Sequence, residues 1–93
     1  MSATDPVAAI MAALRVAEPA LRLTDTRRRA WASATFEGAR YTLGIVGIGD
    51  MPAFESRLAD LEITLRGAFV ADLQLITRDG DGCTVEALVI ADA

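Results

Sequence analysis

The second half of the chain alternates apolar and polar residues. From position 61 to 75 one parity is held throughout by Leu61, Ile63, Leu65, Gly67, Phe69, Ala71, Leu73 and Leu75. This period of two is typical of strands that have one buried face and one wet face in an antiparallel sheet. We predict one long strand, bent at Gly67, where glycine tolerates a bulge or a sharp coil. A hairpin with a three-residue loop at this point keeps the same parity and is the alternative.

The first segment has the spacing of an amphipathic helix. Asp5 is a suitable N-cap, and Pro6 follows at the first helical position, where its missing N–H costs nothing. Apolar residues then recur at steps of three and four, namely Val7, Ile10, Met11, Leu14 and Ala17. Pro19 interrupts the pattern, which predicts a helix that ends near Glu18.

Two runs of strand character follow, Arg29–Glu37 and Arg40–Val46, after a polar connection over Thr24–Arg28. Gly38-Ala39 lies between them, and a glycine that comes first in a two-residue loop suits a type II′ hairpin. The predicted register pairs oppositely charged, aromatic and threonine residues: Glu37 with Arg40, Phe36 with Tyr41, Thr35 with Thr42, and Trp31 with Val46. One face of this hairpin is rich in alanine, which leaves room for a helix to approach closely.

The remaining segments complete an α+β pattern. Asp50 can cap a short helix over Met51–Leu58, Asp79–Gly82 has turn composition, and Cys83–Ile90 returns as the last strand. We therefore predict an N-terminal helix packed on one face of a mainly antiparallel sheet of four to five strands, with a short second helix. Residues 1–93 are interpreted as one such domain.

Composition limits the size of the core and the class of partner. Hydrophobic residues make up 53% of the chain, but 18 of them are alanine, so the apolar volume is small and a homo-oligomer is expected. The net charge of −4 disfavours nucleic acid as a partner. The apolar run Val7–Leu14 is too short for a membrane span and lacks the preceding basic residues of a secretion signal. A cytoplasmic location is the expectation.

Residue types that carry common chemistry are scarce. The chain has no histidine and one cysteine, Cys83, which excludes an intramolecular disulfide and a cysteine/histidine metal site. No base is available to activate that thiol by a cysteine–histidine arrangement. The glycines between Gly44 and Gly49 lack the spacing of nucleotide-binding loops, and Asp79–Gly82 lacks the further ligands of an EF-hand. We predict no cofactor, no metal and no catalytic set.

The first functional hypothesis is a non-catalytic module that acts by association, as a homodimer. Its predicted contact is the sheet face that bears Trp31, Val70 and Ile76, because this apolar set exceeds what one helix covers. An interface tryptophan is often an anchor of binding energy.

Two alternatives use charged residues. A small acidic ligand could bind in a pocket between helix and sheet, held by the planar guanidinium of Arg66 or Arg29. A weaker alternative is a carboxylate-dependent enzyme that uses Glu62 and Asp72, with Glu86 in a similar polar setting. The candidate ligand or interface residues are thus Trp31, Arg29, Glu62, Arg66 and Asp72.

Overall fold

A computed structural model describes residues 5–91 and has the predicted α+β architecture. Its elements are α1 (Pro6–Ala17), β1 (Arg22–Ala32), β2 (Glu37–Val46), α2 (Met51–Leu58), β3 (Ala68–Asp79) and β4 (Gly82–Ala91). The strands form one antiparallel sheet in the order β1-β2-β4-β3. The central strands are therefore β2 and β4, and the edges are β1 and β3.

Both helices begin and end where the local signals predict. The Asp5 carboxylate accepts a hydrogen bond from the Val7 N–H at 3.0 Å, and the Glu18 N–H closes α1 on the Leu14 carbonyl at 3.0 Å. The Asp50 carboxylate likewise accepts from the Ala53 N–H at 3.1 Å at the start of α2. These caps satisfy backbone donors that a helix leaves without partners in its first turn.

The core lies between the two helices and one face of the sheet. The helices contribute Ile10, Met11, Leu14, Phe54 and Leu58, and the central strands contribute Leu43, Ile45, Cys83, Val85, Ala87 and Val89. Because these helical and strand side chains form a single cluster, α1 and α2 cover the same face. Within residues 5–91 the opposite face of the sheet carries no helix, and we call it the open face.

The predicted turn of the first hairpin is wrong. The chain reverses at Ser33–Phe36 rather than at Gly38-Ala39, so Trp31 pairs with Gly38 and the predicted pair of Trp31 with Val46 does not form. The Ser33 hydroxyl oxygen accepts hydrogen bonds from the N–H groups of Thr35 and Phe36, at 3.4 and 3.0 Å. This local side-chain bonding stabilises the turn four residues earlier than the glycine suggests.

The same shift lengthens the edge strand and changes its partners. Thr24–Arg28, predicted as a connection, belongs to β1, and Arg29 rather than Glu37 pairs with Arg40. An exposed edge strand tolerates polar side chains, so composition did not distinguish strand from connection here. Ala30 and Ala32 lie on the core side of the sheet but remain exposed, and neither belongs to the core cluster.

The predicted long strand is also wrong in its first half. Residues 61–65 lie outside the sheet, although Leu61, Ile63 and Leu65 pack against the core from there. The chain turns at Gly67, whose φ of +76° is accessible to glycine at little cost, and β3 begins at Ala68. Neither the bent strand nor a hairpin at this glycine forms.

The turn at Gly67 and one register irregularity in β3 explain why the alternation looked continuous. After Gly67 the parity inverts, so that Val70 packs against the core and Phe69 is exposed on the other side. An irregularity between Val70 and Asp72 inserts one extra residue and returns Leu73 to the core side. The turn and the extra residue each shift the parity of the core-facing positions by one, so the two shifts cancel and the sequence alternates as in one strand.

The β3–β4 connection forms as predicted. Asp79 pairs with Gly82, and Gly80 occupies the left-handed region with φ of +61°. The Asp81 backbone carbonyl accepts a hydrogen bond from the Ile48 N–H at 2.9 Å. The turn is thereby tied to the loop that follows β2.

A candidate interaction surface on the open face

The open face is organised in rows that cross all four strands, since side chains of paired antiparallel residues point to the same side. The apolar row contains Trp31, Gly38, Ile90 and Phe69 in the spatial order β1, β2, β4, β3. The next row, which we call the charged row, contains Arg29, Arg40, Leu88 and Asp72. The third row contains Arg27, Thr42, Glu86 and Gln74.

Charge is divided between the two halves of these rows. The half formed by β1 and β2 carries the three guanidinium groups of Arg27, Arg29 and Arg40. The half formed by β4 and β3 carries the carboxylates of Glu86 and Asp72. A chain with a net charge of −4 therefore has a basic half on its open face.

Arg29 and Arg40 lie directly opposite each other, which is an unfavourable pair in an antiparallel ladder. Arg40 has a counter-charge, since its Nη1 lies 3.0 Å from Glu86 Oε1 in a half-buried ion pair. Arg27 has a looser contact, with its Nε 3.6 Å from Asp25 Oδ2, and both side chains are well exposed. None of the ion pairs found in residues 5–91 includes Arg29. The basic half thus holds more positive than negative charge.

A shallow cleft runs through this basic half. It has a volume of about 310 Å³, and its lining includes the three arginines, Thr42 and Glu86. Guanidinium groups bind carboxylate and phosphate through two parallel hydrogen bonds, so the cleft suits an acidic group.

Asp72 occupies the other end of the charged row. Its Oδ2 accepts a hydrogen bond from Gln74 Nε2 at 2.7 Å, and the carboxylate is half-buried. Asp72 follows the extra residue in β3 and lies on the open face. The alternation of apolar and polar residues in the sequence also assigned Asp72 to a polar face. Asp72 pairs with Leu88 of β4, and none of the ion pairs found in residues 5–91 includes Asp72.

The apolar row supplies hydrophobic surface at one end of the open face. Phe69 is 44% exposed, while Trp31 is half-buried and Ile90 is 7% exposed. Gly38 lies between Trp31 and Ile90 in the row and has no side chain. The row is therefore an aromatic and aliphatic strip beside the charged row.

Not all predicted site residues meet on this surface. Trp31, Arg29 and Asp72 share it, whereas Glu62 and Arg66 are exposed in the segment between α2 and β3, outside the sheet. The predicted grouping of Trp31 with Val70 is wrong, because Val70 packs on the core side. Ile76 is 49% exposed at a second irregularity in β3.

The predicted helix/sheet pocket does not contain its predicted arginines. Arg29 projects from the open face, and the side chains of Ile10, Met11 and Leu14 occupy the space between α1 and the sheet. Sequence reasoning missed Arg40 as a site residue, because the wrong register paired it with Glu37. A turn predicted at Ser33 rather than at Gly38 would have paired Arg40 with Arg29, and the Ser33 side chain is the signal for that turn.

The carboxylates and the thiol are held in structural contacts. Asp72 and Glu86 lie on neighbouring strands in adjacent rows, but Arg40 engages Glu86 and Gln74 engages Asp72. Burial raises the pKa of the Cys83 thiol, an effect that nearby Arg78 opposes and Glu55 reinforces. A neutral thiol facing the core acts as a small apolar side chain.

Further observations bear on function without assigning one. Neither helix in the part of the chain that the structure describes is long and apolar enough to cross a membrane. Within that same part, no three histidine, cysteine or acidic residues are grouped to hold a metal ion. Protein-family models give no match to this chain, and neither curated proteins nor solved structures show significant similarity to it.

Proposed function

We propose that this protein is a non-catalytic association module that forms a homodimer through its open face. The observation that carries the proposal is the composition of that face, which combines an apolar row with separate basic and acidic halves. A surface of this kind is complementary to a second copy of itself. Two-fold dimers use the same patch on both subunits, so such self-complementarity is what they require.

The size of the open face supports this proposal. Four strands about 4.8 Å apart and ten residues long at about 3.3 Å each have a projected area of roughly 600 Å². Side-chain relief increases the accessible surface beyond this value. A stable interface buries about 800 Å² on each partner, so nearly the whole open face would be used.

The sheet edges offer less favourable contacts. β1 has three consecutive exposed arginines, Arg27–Arg29, which would face like charges in a strand-to-strand dimer of this edge. β3 has two register irregularities, which interrupt the regular backbone pattern that an added strand needs. Face-to-face packing avoids both obstacles.

Trp31→Ala is expected to weaken the homodimer at least tenfold, because truncation of a buried interface aromatic typically costs more than about 1.4 kcal/mol. Light scattering coupled to gel filtration over a concentration series measures the effect. The wild type is expected at twice the chain mass of 9.9 kDa. Phe36→Ala is the matched control, since Phe36 is 50% exposed in the β1–β2 turn, outside the three rows. A wild type that stays monomeric at all concentrations contradicts the proposal.

A second candidate function rests on the excess positive charge of the basic half. In this alternative a small di- or tricarboxylate, or a phosphate group, binds in the cleft beside Arg29 and Arg40. A ligand that binds only the native state stabilises it by RT ln(1 + L/Kd), where L is the ligand concentration, so the melting temperature rises with ligand concentration. Citrate and inorganic phosphate are suitable probes for calorimetry, with Arg29→Gln as the variant that should lose the binding heat and Arg66→Gln as the control. Equal heats for both variants contradict this candidate.

A further inference from the structure

The proposed homodimer has only a few symmetric arrangements, and the charge pattern distinguishes them. A two-fold axis parallel to the strands, between the two sheets, places β1 over β3 of the partner and keeps each row over itself. This follows from the order β1-β2-β4-β3, in which the two edge strands are equidistant from the centre of the sheet. A two-fold axis perpendicular to the strands, in the same plane, instead places β1 over β1.

These two arrangements differ in what the arginines meet. With β1 over β1 the order of the rows is reversed, and an axis between the charged row and the third row places Arg27 over Arg29 of the partner subunit, so that like charges meet. With β1 over β3, Arg29 lies over Asp72 of the partner subunit in the charged row. In the same arrangement Trp31 lies over Phe69 of the partner subunit. Opposite charges then meet in one row and aromatic side chains in the next.

The rotation between two packed, twisted sheets still allows Arg29 to reach Asp72 of the partner subunit. Packed sheets are rotated by about 30° relative to each other, and an edge strand lies about 7 Å from the centre of a four-stranded sheet. The rotation displaces an edge residue by roughly 4 Å, about half the spacing of nearly 7 Å between rows. The long side chain of Arg29 spans such an offset.

We infer that Arg29 of each subunit forms an ion pair with Asp72 of the partner subunit, across a two-fold axis parallel to the strands. The inference rests on the proposed homodimer and specifies its geometry. It supplies a counter-charge to Arg29, which is absent from the ion pairs found in residues 5–91, whereas Arg40 already pairs with Glu86. It also supplies a donor to an Asp72 carboxylate that has only the Gln74 amide as its side-chain partner in residues 5–91. The dimer would contain this ion pair twice, once on each side of the axis.

Charge reversal tests the geometry directly. Arg29→Asp places two carboxylates against each other in the dimer, and Asp72→Arg places two guanidinium groups against each other. Each single variant is expected to raise the dissociation constant by about 30-fold or more, since removing one partner of a close interfacial pair leaves an unpaired charge. An equimolar mixture of the two variants is expected to form a heterodimer, because one ion pair then forms with reversed polarity and the other is the unchanged pair of Arg29 with Asp72.

Arg27→Asp is the matched control, because Arg27 lies over the Gln74 amide of the partner subunit in this arrangement. Its dimer is expected to weaken less, and mixing it with Asp72→Arg should not restore wild-type affinity. Native mass spectrometry of the mixtures reports homodimers and heterodimers separately. Circular dichroism of each variant establishes that the sheet is intact.

These experiments distinguish a failure of the proposed homodimer from a failure of the proposed ion pair. A monomeric wild type overturns the proposed function and the ion pair together. A dimeric wild type whose single variants keep its dissociation constant overturns the ion pair alone. The ion pair is also overturned if both single variants form weaker dimers and their mixture does not recover wild-type affinity. Arg29 and Asp72 would then act through separate contacts. Recovery in the mixture, without recovery in the control mixture, supports it.

Discussion

Phe54→Ala is expected to lower the free energy of unfolding by about 3–5 kcal/mol, the range found when a buried aromatic is truncated to alanine. Phe54 is 1% exposed and belongs to the core cluster. Together with Leu58 it makes up the buried surface of α2, so its loss removes much of the packing that holds this helix on the sheet. A domain of this size has a total stability of about 5–14 kcal/mol, and the variant would lose a large share of it.

Urea unfolding at a fixed protein concentration measures this loss, since association contributes to apparent stability. Phe36→Ala is the control, because the same substitution at an exposed turn position should change stability by about 0.5 kcal/mol or less. Polar contacts of α2 remain in the core variant: Arg57 Nη1 donates to the Ala17 carbonyl at 2.8 Å, and Glu55 pairs with Arg78. A loss below about 1 kcal/mol would mean that these contacts, rather than Phe54, position α2.

The helices were predictable because their signals are local. Asp5 and Asp50 each lie next to the first helical turn, and each cap bond spans two or three residues. The turn over Asp79–Gly82 is equally local, since Gly80 provides the left-handed conformation that the reversal needs. The two helices and this turn, whose causes lie within four residues of sequence, were correctly placed.

The strand registers were not predictable in the same way. Gly38 resembles a turn residue, but its role is defined by β4, a strand more than forty positions later. Gly67 and the extra residue before Asp72 each shift the parity of the chain, and a sequence with two compensating shifts resembles one uninterrupted strand. Pattern counting detects the sum of such shifts and not the individual ones.

Individual residues of the candidate surface could be predicted from the sequence, but their arrangement in rows on one face could not. Trp31, Arg29 and Asp72 were each identified from residue type, and the structure assigns all three to the open face. Their rows depend on register, so the like-charge pair of Arg29 with Arg40 could not be foreseen from a hairpin that paired Arg40 with Glu37. The division into basic and acidic halves is likewise a property of the strand order.

Gly38→Ala is expected to destabilise the protein by about 1–3 kcal/mol, because extra atoms in a closely packed region force backbone shifts. A Cβ at this position would overlap the carbonyl oxygen of Val89 and lie 2.9 Å from Ile90 Cα. Both neighbours are backbone atoms of β4, so no side chain can rotate away to relieve the contact. The pairing of the two central strands, β2 and β4, would have to open locally, and hydrogen exchange of the β4 amides should increase there.

Gly49→Ala provides the control for the same chemical change, since a Cβ there meets nothing within 4 Å. It should leave stability unchanged or raise it by up to about 1 kcal/mol through the lower entropy of the unfolded chain. Equal stability of the two variants would show that β4 does not approach β2 this closely. Because Gly38 lies between Trp31 and Ile90 in the apolar row, its substitution should also weaken the proposed homodimer, whereas Gly49→Ala should not. A stability loss with unchanged dimer affinity would separate the packing role of Gly38 from any role of this row in association.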